Sequence, residues 1–233
     1  MFHLFNQTNV LKISIIQETP GWLALNKPAG IQVERNPFGP SAESLAYAHL
    51  QLQKRNPYVG IVHRLDRVTT GLVLVAKKKS ILRQLNEQFR LKEVQKTYLA
   101  MVDKAPAEEE ATLIHWLEKD LHEKRAKVSS KNSDKAFECI LSYRQLWKDT
   151  AGQALLEIRP VTGRYHQIRA QLAAIGCPVV GDTHYGAKEE YQPNHIQLHA
   201  WKLEFFGPER RERLEVEAPL PEWAEGLIGL PGS

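Results

Sequence analysis

The apolar residues of this chain fall in short runs, and two such runs frame a polar turn. Residues 59–63 (VGIVH) and 71–77 (GLVLVAK) are too short for typical helices and rich in Val and Ile, so both read as strands. Residues 11–17 (LKISIIQ) alternate in part, and 22–27 (WLALNK) follow a Pro-Gly turn. Further strands are predicted at 97–102, 137–146, 153–160, 196–206 and 213–217. Helices are fewer. Residues 41–53 suit one, with Ser41 as N-cap and Leu45, Ala48 and Leu52 at helical spacing. Ile81, Leu85 and Phe89 mark a second over 80–90. A third spans 164–175, where Ile168, Leu172 and Ile175 form a stripe that Gly176 and Pro178 stop. Many strands in irregular order with three helices predict an α+β fold rather than strict βαβ alternation.

No repeat, Gly/Ser stretch or Pro-rich linker divides the 233 residues, so one domain over 1–233 is expected, long enough to bury a substantial core. A composition 42% hydrophobic and 25% charged argues against disorder and collagen-like repeats. Cys139 and Cys177 form no CxxC pair, which disfavours a zinc ribbon or disulfide framework and suits a reducing compartment. The amino terminus lacks the basic start of a signal peptide, and no window approaches the ~20 apolar residues of a membrane span. A cytoplasmic protein without a membrane partner is therefore expected, and the Asn6-Gln7-Thr8 sequon carries no weight.

Lys and Arg exceed Asp and Glu by 31 to 27, a net charge of +4 that permits a polyanionic partner without requiring one. There is no GxGxxG, GxSxG, HExxH or EF-hand loop. Residues 181–188 (GDTHYGAK) have the glycine spacing of a phosphate loop but read Ala-Lys where Gly-Lys-Ser/Thr is needed. None of the nine histidines pairs at metal spacing with a third donor nearby, so no metal is expected.

Two segments carry chemistry. In His63-Arg64-Leu65-Asp66-Arg67-Val68-Thr69-Thr70-Gly71, one aspartate sits among arginines in a turn between strands. The guanidinium charges favour the ionised carboxylate, which suits a nucleophile or base for a phosphate-bearing substrate; a turn-capping Asp among surface arginines is the plainer alternative. In residues 160–169 (PVTGRYHQIR), Thr162 and Gly163 can open a helix whose free N–H groups attract an anion. His166 and Arg169, three apart, then share a face, with Arg164 in the first turn. A helix with a polar outer face is the alternative.

The string HRLDRVTTGLVLVAKK (63–78) closely resembles the catalytic motif of RluA-type RNA pseudouridine synthases, and TGRYHQIRAQLAAIGCPVVGDTHYG (162–186) resembles a later motif of the same enzymes. NKPAGIQV (26–33), KTYLAMV (96–102) and LHAWKLEF (198–205) follow the family's order, so the resemblance spans roughly residues 12–219. It implies a mixed, largely antiparallel sheet with flanking helices and a central cleft. It also implies isomerisation of a uridine in ribosomal or transfer RNA, in which the base leaves through N1, turns and rejoins the ribose through C5. By resemblance Asp66 is the catalytic carboxylate, acting at C1′ or on the C2′ proton; Tyr98 is the active-site tyrosine, and Arg169 the arginine paired with the aspartate. Arg64 corresponds to the arginine that fills the stack a flipped nucleotide leaves. His63, Lys27, Lys96, Arg164 and His166 are weaker candidates for substrate binding or support.

The resemblance implies no cofactor and no metal, and RNA as partner; a monomer is expected. No amino-terminal extension is long enough for the small S4 RNA-binding module of some relatives, so RNA contact is expected from the domain itself, from patches such as 119–135. Thr70, Gln171 and Glu138 depart from the family pattern, where Ser, His and Thr are common. Two rivals remain. An RNA-binding assembly factor could dispense with the chemical residues, yet Asp66, Tyr98 and Arg169 are all present. A glycosidase or N-ribohydrolase usually needs a second carboxylate, and neither motif supplies one.

Overall fold

The computed structural model describes residues 13–208 and 210–229; the Asn6 sequon and the start of the strand expected from residue 11 lie outside them. In chain order the first half contains β1 (Ser14–Glu18), β2 (Trp22–Lys27), α1 (Ala42–Gln51), β3 (Gly60–Ile61), β4 (Thr70–Ala76), α2 (Lys79–Arg90) and β5 (Gln95–Val102). The second contains β6 (Glu110–Asp120), β7 (Arg125–Val128), β8 (Ala136–Lys148), β9 (Ala154–Pro160), α3 (Gln167–Ala174), β10 (Leu198–Phe206) and β11 (Arg213–Glu217). All strands join one sheet in the order β1-β2-β4-β10-β5-β9-β8-β6-β7, with β3 also on β4 and β11 on β10. Only β4 and β10 run parallel; the other pairings are antiparallel. The expected α+β architecture is therefore present. Among the described residues no helix is long and apolar enough to cross a membrane.

The uninterrupted apolar run in β4 has a packing reason. Leu72, Leu74 and Ala76 face a cluster with Ile81 and Leu85 of α2, while Val73 and Val75 face Ala42, Ala46 and Leu50 of α1. Successive strand side chains point to opposite faces, so a strand covered on both sides is apolar throughout. Ser41 starts α1 through a reciprocal capping box with Ser44. On the other half of the sheet, Ile168 and Leu172 of α3 pack onto Ala100, Leu141, Leu156 and Ile158.

The first strand run beyond α1 is shorter than its composition suggests: only Gly60 and Ile61 pair. Val62 donates to Leu74 O, and beyond it the polar turn lifts away from the sheet. The third helix also starts later than expected. Arg164, Tyr165 and His166 precede it in a loop, because Gln167 folds back: its Oε1 accepts from Thr162 Oγ1 and Arg164 N, and its Nε2 donates to Ile140 O. His166 then occupies the N-cap with left-handed backbone angles, φ 51° and ψ 24°.

The two halves of the sheet meet where β4 and β10 share only Thr70↔His199 and Ala200↔Gly71. Gly71 has φ +107°, and a Cβ there would lie 2.2 Å from Ala200 O and 2.7 Å from Ala200 N. Both the angle and the approach require glycine. Gly71→Ala should therefore destabilise the fold by more than about 3 kcal/mol in urea denaturation, whereas Gly39→Ala, in open surroundings, should change it by less than about 0.5 kcal/mol.

Candidate active site

A cleft of about 110 Å³ opens over this junction, between the turn preceding β4, strand β5 and the β9–α3 loop. Larger hollows lie between α3 and β7 (about 590 Å³) and on β6, β8 and β9 (about 450 Å³), and Asp66 lines neither. Asp66, Arg64, Lys96, Tyr98, Arg164, His166 and Arg169 all line the cleft, so seven of the nine expected side chains converge from three separate segments.

Arg169 ties the site together. Its Nη1 donates to Asp66 Oδ2 at 3.2 Å, while Nε and Nη2 donate to the two oxygens of Asp182 at 2.6 and 2.9 Å. Asp182 and Arg169 are buried, and the Asp66 side chain is 25% exposed. His166 Nε2 lies 3.7 Å from the same Asp66 oxygen. Arg169 and His166 thus reach one carboxylate, although His166 sits outside the helix rather than on a shared helical face.

The electrostatics revise the expectation that neighbouring cations control Asp66. Burial pushes its carboxyl above the usual aspartate value, and Arg169, Lys27 and Arg64 only partly oppose this. For Arg169, burial works against the charge, but Asp182 and Asp66 more than compensate, so its guanidinium stays ionised. Burial, reinforced by the Asp66 charge, raises the Tyr98 phenol well above its ordinary value and keeps it protonated. Tyr98 also packs against the core, so its site and core roles coexist. His166 is pushed down to about 3, first by burial and then by Arg169, so its ring is neutral.

The remaining candidates separate. Lys96 lines the cleft and donates to Thr162 O at 3.4 Å; burial, with Lys92, lowers its ammonium. Arg64 is on the rim, its side chain 71% exposed and paired with Glu34 at 3.1 Å. Lys27 lies beneath the cleft, fully buried, with Nζ donating to the carbonyls of Pro28, Ile31 and Arg67. Burial pushes it down to about 7 against the pull of Asp66. It fastens the two loops that flank Asp66. His63 does not line the cleft: its ring stacks on Phe89 and its Nε2 accepts from Leu74 N, replacing a strand partner where β3 ends. Burial, with Lys96 adding to it, holds His63 at about 3. The free helix N–H groups expected after Gly163 are not all available, since Gln167 takes that of Arg164.

The departures from the family pattern stay out of the cleft. Gln171 is buried and donates to Leu113 O and Cys139 O. Glu138 is exposed on β8, and Thr70 Oγ1 pairs with His199 Nδ1 at 2.8 Å.

Two residues of the site were missed, Asp182 and Tyr185, both inside the segment rejected as a phosphate loop. The Tyr185 oxygen accepts from Ala126 N at 2.7 Å and lies 3.0 Å from His166 Nδ1, and the Arg169 guanidinium lies over its ring at 4.9 Å. No linear signal marks Asp182: only once Arg169 is seen to be buried do its five donors require more than one shared carboxylate.

A single cleft carboxylate is thus held by a buried arginine beside a protonated tyrosine, on an open and largely antiparallel sheet. Residues 21–174 match the RNA pseudouridylate synthase family, and the chain belongs to it. Ribosomal large subunit pseudouridine synthase C of Buchnera aphidicola subsp. Baizongia pistaciae (strain Bp) is 34% identical over 217 residues, 88% of this chain and 66% of that protein. Its namesake in Pasteurella multocida (strain Pm70) is 33% identical over 236 residues, covering 96% of this chain and 69% of that one. The chain thus spans about two thirds of the length of these relatives. The solved structure of Human RNA Pseudouridylate Synthase Domain Containing 4 superposes with a TM-score of 0.76 over 90% of this chain and 89% of that one; at 22% identity the likeness is one of fold.

Proposed function

We propose that this chain converts selected uridines of ribosomal RNA to pseudouridine, acting as a cytoplasmic monomer without cofactor, with residues 1–233 as one catalytic domain. The names of the relatives support ribosomal rather than transfer RNA. The observation that carries the chemistry is Asp66 in the cleft, bridged by Arg169 at 3.2 Å.

The reaction breaks the N1–C1′ bond, forms a C5–C1′ bond, and moves the C5 proton to solvent while N1 regains one. Nothing is oxidised or reduced. Attack on C1′ and abstraction of the C2′ proton both start from one ionised carboxylate. Arg169 keeps Asp66 ionised and aimed, while burial makes its oxygen more basic than a surface aspartate. Tyr98, held protonated, offers a ring against uracil and a phenol O–H to an acceptor. Arg64 is free to leave exposed Glu34, because such surface pairs contribute little; its planar cation then fills the gap left by the extruded base.

RNA tritiated at uridine C5 should lose its label to water with purified protein alone, and Asp66→Asn should abolish this release while RNA affinity stays within several-fold. Full activity in that variant removes Asp66 from its role. Affinity should also fall steeply as salt rises, since phosphate contacts release counterions.

A second prediction concerns acid. Ionised Asp66 is the active form and its carboxyl titrates above the usual aspartate value, so kcat/KM should fall with decreasing pH before an ordinary aspartate would protonate. Asp182→Asn leaves the Arg169 charge uncompensated, which favours ionised Asp66. The acid limb should therefore move to lower pH, while kcat drops about 10- to 100-fold as the guanidinium loses its fixed orientation. A drop in rate with an unmoved limb assigns Asp182 to folding alone.

A further inference from the structure

Among the described residues, Phe137 is a large apolar side chain left about half exposed and outside the buried clusters. It is the second residue of β8, opposite Leu117, and residues directly opposite in an antiparallel pair share a face. Leu117 is buried with Ala170 of α3, yet Phe137 is 51% exposed. What reaches Phe137 is Arg164, whose guanidinium carbon lies 4.4 Å from the ring centroid. Arg164 also lines the cleft that holds Asp66, and Gln167 fixes its backbone.

The two other arginines lining the cleft are neutralised: Arg169 by two carboxylates, Arg64 by Glu34. Among the described residues no carboxylate pairs with Arg164. Further cations flank it, with Lys96 Nζ 3.4 Å from where a Gly163 side chain would begin and Lys119 over the Tyr165 ring at 4.7 Å. An unneutralised guanidinium laid on an exposed phenyl ring at the mouth of a cationic cleft is suited to one ligand chemistry. A planar, electron-rich ring can lie on its outer face while the adjoining phosphate meets the surplus charge.

Building on the activity proposed above, we infer that Phe137 and Arg164 form a stacking subsite for the base of a nucleotide neighbouring the target uridine, in the order Phe137, guanidinium, base. The subsite holds the strand beside the cleft while the uridine is turned out of it. It reads a flat face rather than base edges, so it accepts any base there.

The test uses the full chain and [5-³H]uridine-labelled RNA from cells lacking this gene, with tritium release and filter binding at several salt concentrations. Phe137→Ala should raise KM about tenfold and leave kcat within about twofold. Arg164→Lys keeps the charge and loses the plane, so it should raise KM similarly with an unchanged salt slope. Phe137→Trp should retain the wild-type KM, and Leu52→Ala, an exposed apolar residue at the end of α1, should behave as wild type. Should Phe137→Ala fail to fold, Arg164→Lys and Phe137→Trp decide the matter. A wild-type KM in Arg164→Lys means a phosphate contact and overturns the stack, as does a Phe137→Ala enzyme unchanged in KM. No release by the wild-type chain from any RNA of these cells overturns the proposed activity itself.

Discussion

Arg169 is the interaction on which the rest of the site depends. A buried guanidinium is tolerable only if its donors and its charge are met. Asp182 meets two donors through a fork, leaving Nη1 for Asp66. The fork also fixes the plane of the guanidinium, so the third bond points in one direction. Asp66 hence shares a cation already compensated by another carboxylate, and burial prevails over the pairing in setting its titration. The arrangement delivers orientation without the full acidifying effect of an unshared arginine.

That geometry requires distant segments to meet, and the sheet supplies the meeting point. The parallel contact of β4 and β10 is two residue pairs long, enabled by a glycine that admits Ala200 against its backbone. The turn carrying Asp66 enters from one side of this seam. Tyr98 comes from β5, paired to Ala200 on the other side. Lys27, at the end of β2, anchors three carbonyls of the flanking loops from below. A mobile turn would carry Asp66 away from Arg169; this one is tied on both flanks.

Much of this was legible in the residues. The apolar run of β4, the N-cap at Ser41 and the stripe of α3 follow from periodicity and capping chemistry, and the structure contains all three. Of the two roles expected for His63, its placement suits support rather than contact with a substrate. In space its ring turns to Phe89 and substitutes for a ladder acceptor. The start of α3 was misjudged because propensity does not register Gln167, whose side chain holds Thr162 and Arg164 in a loop and pushes His166 into left-handed backbone. Asp182 was overlooked because it is 13 residues from Arg169 and conspicuous only once the guanidinium is known to be buried. Local signals reveal elements; mutual satisfaction of buried charge is a property of the folded chain.

The arginines of the cleft differ less in position than in how far each is neutralised. Arg169, deepest, is bound by two carboxylates and is 6% exposed at its side chain. Arg64, on the rim, holds one solvent-facing glutamate that water and salt already weaken. Among the described residues Arg164 pairs with no carboxylate and lies on the face of Phe137. In the proposed reaction, a group that aims the Asp66 carboxylate has to remain still when a polyanion arrives, and bidentate pairing inside the protein provides that. A group that meets the polyanion has to exchange partners at little cost, which an exposed pair or a bare aromatic face permits. Pairing inside the cleft therefore grades from the doubly bound Arg169, through Arg64 with its one exposed partner, to Arg164.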